Sequence, residues 1–243
     1  MTNETIDDLR AYDLRIIQPG DGYRFSLDPL LLCDFAVLRA GERVIDLGTG
    51  CGVIPLVLAR QVGDASVIGV EFQTEMAGLS ARNAELNGLQ ERVEIVCDDV
   101  LSLRHRFPVS SFDLVVANPP YRKQGAGKIS PKTGRDRARH ETTAGLADFL
   151  AAAKYLVKPT GRICFIYHVS RLAEFIAAAL LLKLAPLRLR MVHGSTLSGA
   201  RMVLLELAKG RRGDLEVPAP LFVYDTQGEY SGEMKRILGD DNA

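Results

Sequence analysis

Short apolar runs rich in β-branched residues alternate with stretches of helical periodicity through the middle of the chain, and that alternation predicts most of the architecture. Strands are expected at 43–47, 67–71, 93–97, 112–117 and 162–167, and helices at 53–61, 74–87, 143–157 and 168–183. Asn87-Gly88 closes the second helix and Lys158-Pro159-Thr160-Gly161 the third. Repeated strand–helix–strand units demand parallel pairing with helices on both faces. Beyond Pro186 the apolar runs at 187–192 and 201–207 have no helix between them, which predicts an antiparallel pair closing one edge. The expected fold is α/β and Rossmann-like: a mostly parallel seven-stranded sheet with an antiparallel edge strand.

Two flanks border this core. Ahead of it a helix is expected from about Asp28 to Leu38, with Asp28 at its start and Pro29 in its first turn. Behind it lie a short strand at 221–224, a turn at Gln227-Gly228 and a final helix. No Pro/Ser-rich linker sets either flank apart, so residues 1–243 are expected to form one domain: segment 1–40, core 41–208 and extension 209–243.

Composition narrows the class without naming a function. Hydrophobic residues make up 47% of 243 and charged residues 25%, as in an ordinary water-soluble globular protein. The formal net charge is zero, so affinity for nucleic acid must come from local clustering of charge. Cys33, Cys51, Cys97 and Cys164 form no CxxC pair, which favours reduced thiols and a cytoplasmic setting. A signal peptide, a membrane span and a metal site are not expected: the start is polar, the apolar stretch 175–187 is broken by Lys183 and Pro186, and His105, His168 and His193 are scattered. The sequence leaves the oligomeric state open.

Candidate chemistry begins at 43–53. The first expected strand ends in Asp46-Leu47-Gly48-Thr49-Gly50-Cys51-Gly52, a glycine loop opening a helix. Val53 stands where the third glycine of a dinucleotide fingerprint would be, which disfavours a nicotinamide cofactor. A carboxylate at Asp46 would repel a pyrophosphate but attract an ammonium group. Glu71 ends the next strand roughly twenty residues on, where an acid accepts from a ribose diol. Asp99, past the third strand, is placed to accept from an adenine amine. Each acid also has a plain structural reading, as a helix cap or a solvated loop carboxylate. Together, on successive strand ends, they fit S-adenosylmethionine, which has an ammonium group, a ribose diol and no phosphate.

The fourth strand ends in Asn118-Pro119-Pro120-Tyr121. Two prolines cannot continue a ladder, so the chain must break there, where open α/β sheets hold ligands. An amine on adenine is a poor nucleophile because the ring delocalises its lone pair. The Asn118 side-chain carbonyl and the Pro119 backbone carbonyl can accept its two protons, Tyr121 can stack on the base, and aimed dipoles stabilise the charge developing on nitrogen. Taken alone, the tetrapeptide also reads as a rigid turn. Next come Arg122, Lys123, Lys128, Lys132, Arg135, Arg137 and Arg139, opposed only by Asp136, and these suit phosphate contacts, although a solvated charged loop is the commoner fate of such a run.

The glycine loop, Glu71 and the Asn118–Tyr121 motif resemble the class I S-adenosylmethionine-dependent methyltransferases of the NPPY type. Three further stretches resemble the bacterial tRNA(Val) adenine-N6 methyltransferase family: 23–32, Arg139-His140-Glu141, and 218–230 with its Tyr224-Asp225 and Gly228-Glu229-Tyr230. The resemblance implies the Rossmann-like class I methyltransferase fold and methylation of the adenosine next to the anticodon of tRNA(Val). It also implies a lead-in folded over the cofactor, with Phe25, Ser26 and Asp28 near it. The same motif serves methyltransferases acting on DNA adenine, ribosomal RNA or a release-factor glutamine. The cationic run and the short N-terminal flank weigh against the last of these. Intact Asn118 and Asp46 weigh against a non-enzymatic RNA adaptor.

Overall fold

The computed structural model describes residues 4–20, 26–120, 144–210 and 213–239. It opens with a hairpin of β1 (Glu4–Leu9) and β2 (Leu14–Pro19), joined by a 3-10 turn at Arg10–Tyr12. The hairpin is not among the expected elements. Its first strand is too polar to be told from a loop by periodicity, whereas β2 buries Leu14, Ile16 and Ile17.

The remaining elements in chain order are α1 (Asp28–Ala36), β3 (Arg43–Leu47), α2 (Val53–Gln61), β4 (Ser66–Glu71), α3 (Thr74–Leu86), β5 (Val93–Cys97), β6 (Phe112–Ala117), α4 (Leu146–Leu156), β7 (Val157–His168), α5 (Leu172–Leu181), β8 (Leu184–His193), β9 (Ala200–Lys209), β10 (Leu221–Phe222) and α6 (Gly232–Leu238). The main sheet has eight strands in the order β10-β8-β9-β7-β6-β3-β4-β5. Among the described residues, only β9 runs against the other strands of this sheet, paired with β7 on one side and β8 on the other. The antiparallel strand therefore lies one place in from β8, and the two-residue β10, parallel to β8, adds an eighth strand to the seven expected.

Strands apolar on both faces feed two cores, which is why they read as unbroken hydrophobic runs. Val44, Val116, Cys164 and Ile166 pack with β2, α1, α2 and α6 on one face. Ile45, Leu47, Val115, Ala117 and Phe165 pack with α4 and α5 on the other. There Phe175 of α5 meets Phe165 and Tyr167 with ring centroids 5.4 and 5.6 Å apart. Burial pushes the Cys51 and Cys164 thiols up, to about 11 and about 12. All four cysteines are free.

Several boundaries differ from expectation by a few residues, and two of the differences have a clear physical cause. Strand β7 starts at Val157, five residues early, because its register jumps from Phe112↔Val157 to Leu114↔Arg162 and leaves 158–161 as a bulge opposite Asp113. Pro159 is tolerated in that bulge, where no ladder N–H is required. Gly161 is required: a Cβ there would lie 2.6 Å from the Asp113 carbonyl oxygen. His168 ends β7 rather than starting α5, because its ring accepts from the Ser170 N–H and caps a 3-10 turn at Val169–Arg171.

Helix α1 is fastened at its far end. Arg162 donates to the carbonyls of Ala36 and Val37 and pairs with Glu42, while Arg188 donates to the Phe35 carbonyl and lies over the Phe35 ring. These contacts fix its C-terminus at the rim where β3 and β6 begin. Its N-terminus, with Ser26 and Asp28, therefore points to the rim where those strands end.

Candidate active site

The strand order reverses between β3 and β6, which makes the gap between their C-terminal ends the switch point of the sheet. Leu47 pairs with Ala117 in that ladder. The next residues, Gly48 and Asn118, therefore leave the sheet side by side. This register brings the two sequence motifs into one site.

The glycine loop needs its glycines. Gly48, Gly50 and Gly52 all have left-handed backbones, with φ of 78°, 59° and 87°. The Gly48 and Thr49 amides donate to the Val70 carbonyl at 2.9 and 2.8 Å, tying the turn to β4. A Cβ on Gly52 would fall 2.3 Å from Ser80 Oγ of α3.

Glu71 is buried at the end of β4, and its two oxygens accept from the Gly50 and Gln73 amides at 2.9 Å each. It thus organises the loop and the approach to α3, leaving further lone pairs on both oxygens. Asp99 is half-buried, and Oδ1 accepts from the Leu101 amide at 2.9 Å, which caps the 3-10 turn Val100–His105. Of the plain alternatives, the helix cap at Glu71 is not formed, since the N-cap of α3 is Gln73 with no side-chain cap hydrogen bond, and Asp99 caps a 3-10 turn rather than standing as a solvated loop carboxylate. Ser26 is exposed and accepts from the Asp28 amide at 3.3 Å. Asn118 is half-buried, Pro119 buried and Pro120 exposed. Phe25, Tyr121 and the cations Arg122, Lys123, Lys128, Lys132, Arg135, Arg137 and Arg139 lie outside the described residues.

Asp46 is the most unusual group. It is fully buried on the face of β3 shared with its register partner Gly69, and neither of its oxygens has a hydrogen-bond partner. The neighbouring Thr49 Oγ1 and Ser80 Oγ are also buried without partners. Burial pushes the Asp46 carboxyl up to about 7; the nearby Thr49 hydroxyl offsets part of that shift and the Glu71 carboxylate adds to it. Buried acceptors left unmatched call for a cation or for donors. An ammonium group supplies both, so the residues present fit S-adenosylmethionine.

Sequence reasoning passed over three residues here. Phe72, directly after Glu71, is half exposed despite its large apolar ring. Ser80 and Asn83 of α3 are fully buried beneath the glycine loop. An aromatic residue just past the acidic strand end was a legible signal for the first. Polar residues at 80, 83 and 87, one helical face, were the signal for the others. Among the described residues, no group of three or more His, Cys, Asp or Glu side chains is placed to hold a metal ion, and no helix is long and apolar enough to cross a membrane.

A doubly wound sheet with a glycine loop at the switch point, acids on successive strand ends and an asparagine–diproline turn beside them defines a class I S-adenosylmethionine-dependent methyltransferase. The family model described as "Methyltransferase small domain" matches residues 28–174, and the chain belongs to that family. A tRNA1(Val) (adenine(37)-N6)-methyltransferase of Porphyromonas gingivalis strain W83 is 30% identical over 230 residues, covering 91% of this chain and 89% of that protein. One of the same name from Pasteurella multocida strain Pm70 is 32% identical over 219 residues, covering 89% of each. Among solved structures, a predicted O-methyltransferase, Atu636, from Agrobacterium tumefaciens superposes with a TM-score of 0.72. It is 24% identical and covers 89% of this chain and 97% of that one, a likeness of fold. TrmN from Thermus thermophilus gives a TM-score of 0.56 at 26% identity, over 74% of this chain and 48% of that one.

Proposed function

We propose that this enzyme methylates N6 of adenosine 37, next to the anticodon, in tRNA(Val). The observation that carries the reading is the Leu47↔Ala117 register, which sets Asn118 beside the glycine loop. The names of the relatives, matched over nine-tenths of the chain, supply the substrate.

When bound, S-adenosylmethionine supplies an electrophilic methyl group on a sulfonium. The chain's own residues do the rest. Asp46 balances the ammonium end; because it is enclosed, its link runs through a bridging water or a small shift of the loop. Glu71 accepts from the ribose with its remaining lone pairs, and Asp99 accepts from the cofactor's adenine amine. Phe72 packs against that base, and the lead-in of Phe25, Ser26 and Asp28 covers it. The Asn118 side-chain carbonyl and the Pro119 carbonyl accept the two amine protons of the target adenine, with Tyr121 stacked on its ring. These acceptors draw the nitrogen towards tetrahedral geometry and free its lone pair. No strong base is needed, because the methylated ammonium is acidic and loses its proton readily.

The cations between 122 and 139 hold the phosphates around a splayed base, which is least costly to expose in a single-stranded loop. An anticodon loop meets that need, and such a substrate places the enzyme in the cytoplasm. The test is transfer of labelled methyl to tRNA(Val) transcripts with adenosine or guanosine at position 37, beside ribosomal RNA, DNA and release factors. Label is expected only on the adenosine-37 transcript. Equal labelling of the guanosine variant, or preference for another acceptor, overturns the assignment.

A further inference from the structure

Helix α3 presents two side-chain amides to the outer edge of β2. Asn83 Oδ1 accepts from the Ile17 amide at 2.8 Å and its Nδ2 donates to the Ile17 carbonyl at 2.9 Å. One turn on, Asn87 Oδ1 accepts from the Arg15 amide and its Nδ2 donates to the Arg15 carbonyl, both at 2.8 Å. Residues 15 and 17 face the same way along β2, so the two amides imitate a neighbouring strand. The edge that β1 leaves bare is sealed by a helix.

The two asparagines are not equivalent. The remaining donor of Asn87 goes back into its own helix, to the Asn83 carbonyl at 2.7 Å. The remaining donor of Asn83 goes to the Cys51 carbonyl at 2.9 Å, inside the glycine loop. The peptide between Cys51 and Gly52 is thereby held at both ends, since the Gly52 amide donates to the Thr49 carbonyl at 3.0 Å. One turn earlier on the same helix face, Ser80 closes against Gly52. Glu71 pins the loop at Gly50 and Asn83 pins it at Cys51.

The geometry points to Asn83 as a positioning residue for the cofactor: it locks the pitch of the glycine loop to the docking of β2, so that the N-terminal hairpin and the cofactor seat form together. The inference rests on the glycine loop being that seat. Asn87 is the internal control, because it makes the same two contacts to β2 and none to the loop.

The test is calorimetric binding of S-adenosylmethionine to the wild type and to Asn83→Ala and Asn87→Ala, with thermal melts of each. Both variants should melt earlier. Loss of a buried hydrogen bond that strands a loop carbonyl should weaken cofactor binding by Asn83→Ala by about tenfold or more, against about twofold or less for Asn87→Ala. Equal affinities in the two variants overturn the inference. If Asn83→Ala does not fold, Asn83→Asp keeps the acceptor for Ile17, lacks the donor to Cys51, and should show the same loss. Hydrogen exchange on the wild type gives an independent reading: cofactor should slow exchange of the Ile17 amide together with Gly52. Protection of Gly52 without Ile17 overturns the coupling. A wild type that binds no cofactor overturns instead the reading of the site.

Discussion

At the scale of single residues the site is defined by acceptors. Asn118 and the Pro119 carbonyl follow directly on a strand whose last ladder partner is Leu47, so their position is inherited from the sheet rather than from a loop. Asn118→Ala should lower kcat about a hundredfold to a thousandfold, the usual loss when an aimed dipole is removed, while cofactor affinity holds. Single-turnover kinetics beside calorimetry separates the two, and normal turnover by the variant would sink the amine-gripping role. Asp46 has a different signature. With its folded carboxyl near 7 and an unfolded value of about 3.9, it keeps its proton in the folded chain while the unfolded chain releases it. Stability from this group is complete below pH 4 and is lost as pH rises through 7. Asp46→Asn should therefore melt higher than the wild type at pH 8, by roughly 1–3 kcal/mol of stability, with the gap closing near pH 4. A gap independent of pH would show that the carboxyl ionises normally.

At the scale of elements, polar side chains secure what hydrophobic patterning places. Arg162 reaches from β7 to two carbonyls at the end of α1 and to Glu42. Arg162→Met should cost about 2–3 kcal/mol in urea unfolding, because the half-buried Glu42 loses its charge partner and the Ala36 and Val37 carbonyls lose a donor. A loss below 1 kcal/mol would mean that water replaces it. The same contrast explains what the sequence made legible. Strands such as Arg43–Leu47 and Phe112–Ala117 could be read to the residue because both faces are mostly apolar and glycine, proline or serine lies close to each end. The hairpin β1–β2 could not, because the edge of β2 is completed by Asn83 and Asn87, some seventy residues away. The start of β7 was hidden by Pro159 and Gly161, which read locally as a turn and become a bulge only against Asp113. Of the site, the motifs were visible in the sequence. The enclosure of Asp46 was not, since it depends on which side chains fail to find partners, and the polar face of α3 showed that a contact exists but not that it reaches β2 and the glycine loop.

At the scale of the whole molecule, β2, α1 and α6 share one apolar core with the sheet. With a formal net charge of zero, the proposed affinity for RNA falls to the cationic run rather than to an overall field. Replacing Arg135, Arg137 and Arg139 together with alanine should weaken tRNA binding and flatten the dependence of log Kd on log salt by about two to three in slope. An unchanged slope would remove the phosphate-holding role. The reversed strand β9 decides which turns share a rim with Gly48 and Asn118. β8 and β10 run parallel to β7 and finish on the edge where Gly48 and Asn118 emerge, whereas β9 begins there and ends on the opposite rim, where Lys209 donates to Ser110 and to the Val157 carbonyl. The β8–β9 turn at 194–199 therefore opens on the working side of the protein, beside Phe222 at the end of β10.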